Sequence, residues 1–288
     1  MFRNDLVGRL TRQDSDAPCQ ALATLAATCP DDDLLPPARV LLAALVGALT
    51  PAVGRPSAPA GVADVGVARR HLQAEVAPAA VAVLGRDGAQ AWMAPLWRDL
   101  AWRSEALPWD ATRANDHAAA LWLAAGDWTQ ATRAVGNIDS WRRIPAPLAW
   151  MVEAHYRLDG VDAVWPLLAE LAWLAPRRLD GLLRLLSDPV LDRLRRRFDN
   201  QFDAGAEHSS GHGNLAWFPA WVVTDTPALA PRLALAEPGQ DSAAERGLRL
   251  LVGLLGLERQ GRHHDLMARR QALRDLCAPL FTAYIASR

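Results

Sequence analysis

Between residues 116 and 176, apolar side chains recur every three or four positions, with short breaks at glycine and aspartate. Ala118, Leu121, Trp122 and Ala125 follow the i, i+3, i+4, i+7 spacing that places side chains on one face of an α-helix. No segment of useful length in the sequence alternates apolar and polar residues with the period of two expected of a half-buried strand. The spacing therefore predicts an all-α fold without a substantial sheet.

Two helical hairpins of similar build follow one another in this segment. Gly126-Asp127 separates the two apolar stripes of the first hairpin, and Asp159-Gly160 separates those of the second. A shift of 33 residues, from Trp128 to Val161, superposes the first pattern on the second. A period of this length is typical of proteins in which helical hairpins stack on their neighbours.

The motif LWLAAGDWTQATRAV at 121–135 resembles the helix-turn-helix of a tetratricopeptide repeat. A second copy, AHYRLDGVDAVWPLLAELAWLAP at 154–176, is similar, but its turn is Asp-Gly and Val164 replaces the small residue after the turn. A weaker copy, LLGLERQGRHHDLMARRQAL at 254–273, has Gly261 at the turn. The resemblance covers about a third of the chain and implies a compact, tetratricopeptide-like α-solenoid.

In the tetratricopeptide family, the first helix of each hairpin lines a groove that binds peptides. Carried onto this chain, the resemblance implies a groove lined by Arg113, Asp116 and Leu123 from the first copy and by Glu153, Tyr156 and Arg157 from the second. Arginine and tyrosine suit such a surface because each offers a large contact area with a polar tip. The alternative is that neighbouring helices of the same chain fill this groove.

A Gly-, Pro- and Ala-rich segment, GRPSAPAGVADVG at 54–66, predicts a linker or loop. It would divide the chain into an N-terminal helical subdomain, residues 1–53, and a helical-repeat domain, residues 67–288. Helices are predicted in the N-terminal subdomain at 2–12, 17–28 and 36–50.

Acidic and hydroxyl residues stand where three helices are predicted to begin. Asp31, Asp32 and Asp33 precede the third helix, and an N-terminal cap explains them better than a metal site, because a carboxylate accepts the free first-turn N–H groups. Asp188 before Pro189 has the same pattern. Ser242 with Glu245 predicts a capping box at the start of a long helix.

The charge of the chain narrows the classes of function. All 31 basic residues are arginine, so reactions that need a lysine, such as Schiff-base chemistry or a Walker-type phosphate loop, are excluded. This composition is typical of a GC-rich bacterial gene. The net charge of −1 over 288 residues makes nucleic acid an unexpected partner and gives no field that would attract an anionic membrane.

Cysteine use and apolar runs predict a cytoplasmic protein. Cys19, Cys29 and Cys277 are widely spaced and form no CxxC pair, which favours free thiols in a reducing compartment over a disulfide framework or a zinc site. The N-terminal residues have no apolar core of signal-peptide length, and the longest apolar run, residues 40–49, is too short to span a bilayer.

Ten of the 12 tryptophans lie between Trp92 and Trp173. Most fall on apolar stripes and are expected to fill gaps between helices, whereas Trp109 and Trp141 stand in loops and are candidates for a binding surface. His208 and His212 have metal-ligand spacing but lie in a Gly/Ser-rich loop, so no metal site is predicted.

We expect a non-catalytic scaffold that binds another protein or a peptide and needs no cofactor. Two alternatives stay open. The first is an enzyme with a pocket between helices near His155, Trp141 and the loop at 204–214. The second is an anion-binding helical repeat that uses the exposed face of Arg193, Arg196 and Arg197, whose other face carries Leu191, Leu194 and Phe198.

Overall fold

The computed structural model describes residues 2–12, 17–49, 62–202, 214–260 and 263–288. Sixteen α-helices and no strand are present in these ranges. The predicted all-α fold is therefore confirmed for the described part of the chain. No helix there is both long enough and apolar enough to traverse a lipid bilayer.

The α-helices are, in chain order, α1 (Phe2–Thr11), α2 (Ala17–Thr28), α3 (Leu35–Leu49), α4 (Val62–His71), α5 (Ala77–Ser104), α6 (Ala118–Ala124), α7 (Trp128–Gly136), α8 (Pro145–Asp159), α9 (Val161–Leu174), α10 (Pro176–Leu186), α11 (Pro189–Gln201), α12 (Phe218–Asp225), α13 (Ala230–Leu233), α14 (Ala243–Gln260), α15 (His263–Leu276) and α16 (Ala278–Ala286). A π-helical turn, Leu72–Val76, connects α4 to α5, and 3₁₀ turns occupy Ala111–Asp116, Trp141–Arg143, Asn214–Trp217 and Pro227–Leu229.

The chain forms two compact units, Met1–Ala134 and Val135–Arg288. The boundary between them falls inside α7. In the predicted linker, residues 54–61 lie outside the described ranges, but α4 begins at Val62, so the prediction of a linker is wrong for residues 62–66. These residues are helical because the segment packs: Val65 is buried, and Gly66 lies against the carboxylate of Asp116. The division into an N-terminal helical subdomain, residues 1–53, and a helical-repeat domain, residues 67–288, remains a prediction.

Helix α5 is the main packing element of the first unit, where it contacts α1, α3, α4 and α6. Gly85 interrupts it with a φ of 72°, in the left-handed region that glycine adopts without strain. Beyond the kink, the indole N–H of Trp92 donates a hydrogen bond of 2.9 Å to the carbonyl oxygen of Leu10, which fastens α5 to α1.

In the second unit, α8 and α9 form a hairpin around Gly160, whose φ is 80°. Helix α9 is buried nearly all round, as its apolar sequence predicts, and packs against α8, α10, α12 and α13. Helix α12 lies at the centre of this unit, because all residues from Phe218 to Thr224 are buried against α9, α11, α14 and α16.

One of the three predicted helix caps is present, and the other two have a different geometry. Asp188 accepts the N–H groups of Val190 and Leu191 in the first turn of α11, whereas Asp32 accepts the N–H of Leu34, which precedes the first residue of α3. Ser242 accepts the Glu245 N–H at 3.2 Å, as in a capping box. The Glu245 carboxylate instead accepts the N–H groups of Gly239 and Asp241, so it holds the preceding loop and not the N–H of Ser242.

The arrangement of hairpins is compatible with a helical repeat, but it does not establish a solenoid. Helices α6 and α7 occupy the first predicted hairpin, and α6 packs principally against α5. The second hairpin, α8 and α9, is continued by α10 and α11. The turn of the third, Gly261, lies outside the described residues. Membership of the tetratricopeptide family stays a prediction.

Candidate functional site

An open groove of about 520 Å³ lies between α8 and α10 in the second unit. Helix α8 lines it with three residues spaced i, i+1 and i+4, and α10 lines it with residues along two turns, so each helix presents one face. The lining residues are Ala149, Trp150 and Glu153 from α8, and Arg177, Arg178, Gly181, Leu182 and Leu185 from α10. These are the first helices of two consecutive hairpins, α8–α9 and α10–α11.

The middle of the groove is apolar and unfilled. Trp150 and Leu182 are largely buried and form its floor, whereas the side chain of Leu185 is 56% exposed. Gly181 lies on the same face of α10, and a β-carbon built on it would have no atom within 4 Å. The missing side chain at Gly181 therefore leaves room for an atom group of another molecule next to Leu185.

Two arginines stand at one end of the groove. Arg177 and Arg178 are exposed and occupy the first turn of α10. Neither guanidinium forms an ion pair or a hydrogen bond with another residue that the structure describes. Farther along the same helix, by contrast, Asp180 pairs with both Arg184 and Arg195. The groove thus has a positive end whose charges are not neutralised by described residues.

Six residues were predicted to line a groove, and one of them, Glu153, lines the groove between α8 and α10. Its carboxyl group is partly buried, and burial raises its pKa above the ordinary carboxyl value, against the opposing effect of the Arg157 charge. No hydrogen bond from another described residue compensates for this burial. The carboxyl group is therefore the polar part of the groove that is least well solvated.

Tyr156 and Arg157, also predicted for the groove, have different surroundings. The Tyr156 hydroxyl donates a hydrogen bond of 2.9 Å to Asp188, the cap of α11. Burial, followed by this bond to a carboxylate, raises the pKa of the phenol. The Arg157 guanidinium lies 5.6 Å from the centroid of the Tyr156 ring and is exposed. Tyr156 therefore fastens α8 to α11, while Arg157 is at the surface beyond the groove lining.

The three remaining predicted groove residues belong to the first unit. Leu123 is buried, and the buried carboxylate of Asp116 accepts a hydrogen bond of 2.6 Å from Nε of Arg69. Arg113 pairs with Asp110 at 3.0 Å. Asp116 and Leu123 therefore have the surroundings of packing residues, and Arg113 is the exposed member of the three.

Arg113 and Asp116 line a small cleft of about 280 Å³, together with Trp109 and His117. The rings of Trp109 and His117 meet edge to face at 5.7 Å. Burial lowers the pKa of His117, and its Nδ1 accepts the N–H of Ala119 at 3.2 Å. His117 is thus a neutral helix cap for α6, and its imidazole has a structural role that explains its position.

The remaining candidates from the sequence are a tryptophan in a loop and three arginines of α11: Trp141, Arg193, Arg196 and Arg197. Trp141 is partly exposed, and the guanidinium carbon of Arg142 lies 4.9 Å from the centroid of the Trp141 ring. Arg197 pairs with the buried Asp225 at 2.6 Å. Arg193 and Arg196 are exposed, as predicted for the outer face of α11, and form no ion pair with a described residue.

A larger cleft, of about 790 Å³, lies between α11 and α16 over the end of α12. Several of its polar groups are satisfied within the protein. Asp225 is matched by Arg197, and Thr224 and Thr282 donate their hydroxyl hydrogens to carbonyl oxygens of their own helices. Sequence patterns had not indicated this cleft, because its walls come from segments more than fifty residues apart in the chain.

The predicted enzyme pocket near His155 has no counterpart in these clefts. His155 is partly exposed, and its Nδ1 lies 3.2 Å from the carboxylate of Asp159, one turn along α8. Most of the 204–214 loop, with His208 and His212, lies outside the described residues. Within the described ranges, no group of three or more His, Cys, Asp or Glu side chains could hold a metal ion.

Comparisons with protein-family models, with curated proteins and with solved structures give no match to this chain. The residues that line the α8/α10 groove are therefore interpreted from their geometry alone. Trp150, Arg177, Arg178, Gly181 and Leu185 are not among the groove residues predicted from the sequence. The sequence does contain one signal for the arginines. Pro176 indicates the start of a helix, and two cations in its first turn are unfavourable because they lie at the positive end of the helix dipole.

Proposed function

We propose that this protein is a non-catalytic scaffold that binds a peptide segment of another protein in the groove between α8 and α10. The observation that carries the proposal is the unfilled apolar groove between the first helices of two consecutive hairpins. Grooves between helices commonly bind peptides by accepting apolar anchors on a preformed floor. Trp150 and Leu182 provide the floor, and exposed Leu185 provides the wall.

The chemistry of the groove favours binding over catalysis. The lining contains one carboxyl group, Glu153, and no histidine, cysteine or hydroxyl side chain. A nucleophile paired with a base, or two carboxyl groups facing each other, would be needed for the common hydrolytic mechanisms. The proposed scaffold needs no cofactor and belongs to the cytoplasm, as the wide spacing of its three cysteines without a CxxC pair suggests.

A random-peptide phage library, panned against the purified protein, tests the proposal. Selected peptides should bind the wild type and lose at least about tenfold in affinity, equivalent to about 1.4 kcal/mol, against a Gly181→Leu variant. The added side chain would occupy the gap beside Leu185. Gly181→Leu should not lower the melting temperature, because a β-carbon at Gly181 meets open space and leucine favours the helix.

Gly256→Leu is the matched control for this variant. Gly256 also lies inside a helix of the second unit, α14, with open space where a β-carbon would be built. Its variant should bind the selected peptides like the wild type. Failure to select any peptide, or equal binding by wild type and Gly181→Leu, would contradict the proposal.

A further inference from the structure

The positive end of the α8/α10 groove specifies the chemistry of its partner. We infer that the bound peptide is acidic, with carboxylate side chains that pair with Arg177 and Arg178 and a neighbouring apolar anchor that packs beside Gly181 and Leu185. This inference rests on the proposed function, since it names the class of peptide that the groove accepts.

The first support comes from the pairing of arginines elsewhere on α10. Arg184 pairs with Asp180, and Arg195 of α11 reaches the same carboxylate at 2.6 Å. The body of α10 thus neutralises its cations within the protein. Arg177 and Arg178, which line the groove, have no such partner among the described residues. Carboxylates from outside the chain can pair with both guanidinium groups in bidentate geometry.

The second support is the position of these arginines relative to the helix. Arg177 and Arg178 lie in the first turn of α10, at the positive end of the helix dipole. The charges of the arginines and the partial charge of the helix terminus therefore have the same sign and repel each other. An acidic side chain bound there would reduce this repulsion. A basic peptide would increase it.

The third support is the apolar surface beside the charges, which distinguishes a peptide from a polyanion. Trp150, Leu182 and Leu185 line the groove, and nucleic acid has no aliphatic side chain like that of leucine or isoleucine to fill the gap at Gly181. From Arg177 to Leu185 the helix rises about 12 Å, at about 1.5 Å per residue. An extended peptide covers this distance in about three to four residues. The acids should therefore lie about three residues from the apolar anchor.

The composition of peptides selected from the random library tests this inference directly. We expect enrichment of Asp and Glu within about three residues of a Leu, Ile, Met or Phe, because that spacing matches the groove. Enrichment of basic peptides, or of peptides without a charge preference, would overturn the inference and leave the proposed function standing. A library that yields no binder would overturn both.

Charge reversal at the groove provides the second measurement. A labelled acidic peptide from the selection should bind the Arg177→Glu/Arg178→Glu variant at least about tenfold more weakly than the wild type, by fluorescence anisotropy at low salt. Arg193→Glu/Arg196→Glu makes the same change in charge on exposed residues of α11 and should bind within about twofold of the wild type. Equal losses in both variants would indicate a general field effect and overturn the inference.

Two controls separate binding from folding and from nucleic-acid affinity. Arg177→Gln/Arg178→Gln should melt at or slightly above the wild-type temperature and lose an intermediate amount of affinity, because both side chains are exposed, unpaired among described residues and repelled by the helix dipole. A single-stranded oligonucleotide should not displace the peptide. Displacement that depends on Arg177 and Arg178 would assign this end of the groove to a polyanion and overturn the inference.

Discussion

The hydroxyl of Tyr156 donates a hydrogen bond of 2.9 Å to Oδ2 of Asp188, while Oδ1 of the same carboxylate caps α11. One side chain thus joins the first helix of the α8–α9 hairpin to the second helix of the next hairpin. The bond is partly buried, so it contributes to the position of α8 and hence to the width of the α8/α10 groove.

Tyr156→Phe should lower the free energy of unfolding by about 1 kcal/mol, because it removes this hydrogen bond and keeps the ring. Asp188→Ala should cost about 2 kcal/mol, since it removes the same bond and the cap of α11. Urea unfolding measures both values. Asp188→Asn retains an acceptor for the cap and should fall between them; equal costs for all three variants would contradict this account.

Glu170 of α9 holds two other segments in place. Its buried carboxylate accepts hydrogen bonds from Arg142 at 2.7 Å and from the N–H of Glu237 at 2.9 Å. Glu170→Ala should destabilise the protein by about 3 kcal/mol, because it leaves a partly buried guanidinium and a peptide N–H without this acceptor. Denaturant titration followed by tryptophan fluorescence measures the loss.

The matched control for Glu170 is Glu237→Ala. Glu237 also pairs with Arg142, at 3.3 Å, but its side chain is half exposed. Its removal should cost less than about 1 kcal/mol, as for other solvent-exposed ion pairs. Similar losses for the two variants would show that burial of Glu170 does not strengthen its interactions.

Much of the secondary structure could be predicted from the sequence because its signals are local. The Asp188 cap, the turns at Gly126 and Gly160 and the apolar surface of α9 each depend on residues within a few positions of one another. The central position of α12 could not be predicted in this way. Its sequence is apolar all round, but four helices from distant parts of the chain determine that it is enclosed.

The candidate site was only partly predictable for the same reason. Glu153 was assigned to a groove from the resemblance to hairpin repeats, and it lines one. Arg177, Gly181 and Leu185 share a face at intervals of four residues, but nothing local indicates that α8 lies opposite that face. Asp116 was also assigned to the groove, yet its carboxylate pairs with Arg69, a residue 47 positions earlier. Such long-range pairs leave no periodic signal.

Gly181→Ala should raise the free energy of unfolding by about 0.5 to 1 kcal/mol, because alanine favours the interior of a helix and its β-carbon would meet open space. Thermal unfolding measures the gain. Gly247→Ala is the contrasting control, since its β-carbon would lie 2.7 Å from the Trp217 ring and should destabilise α14. A loss of stability at Gly181 would show that the groove is filled by the protein itself.

The carboxyl group of Glu153 should make stability depend on pH. Burial raises its pKa above the ordinary value of 4.5, so the folded protein favours the protonated form more than the unfolded chain does. The resulting stabilisation is complete below 4.5 and is lost as pH rises through the raised pKa. Glu153→Gln keeps a neutral group at every pH. It should therefore unfold at higher urea than the wild type at neutral pH, and this advantage should disappear below 4.5.

Glu105→Gln, an exposed control in the first unit, should match the wild type at both pH values. An advantage of Glu153→Gln that persists in acid would assign the effect to packing, and a loss of stability at neutral pH would mean that the Glu153 carboxylate has a stabilising partner.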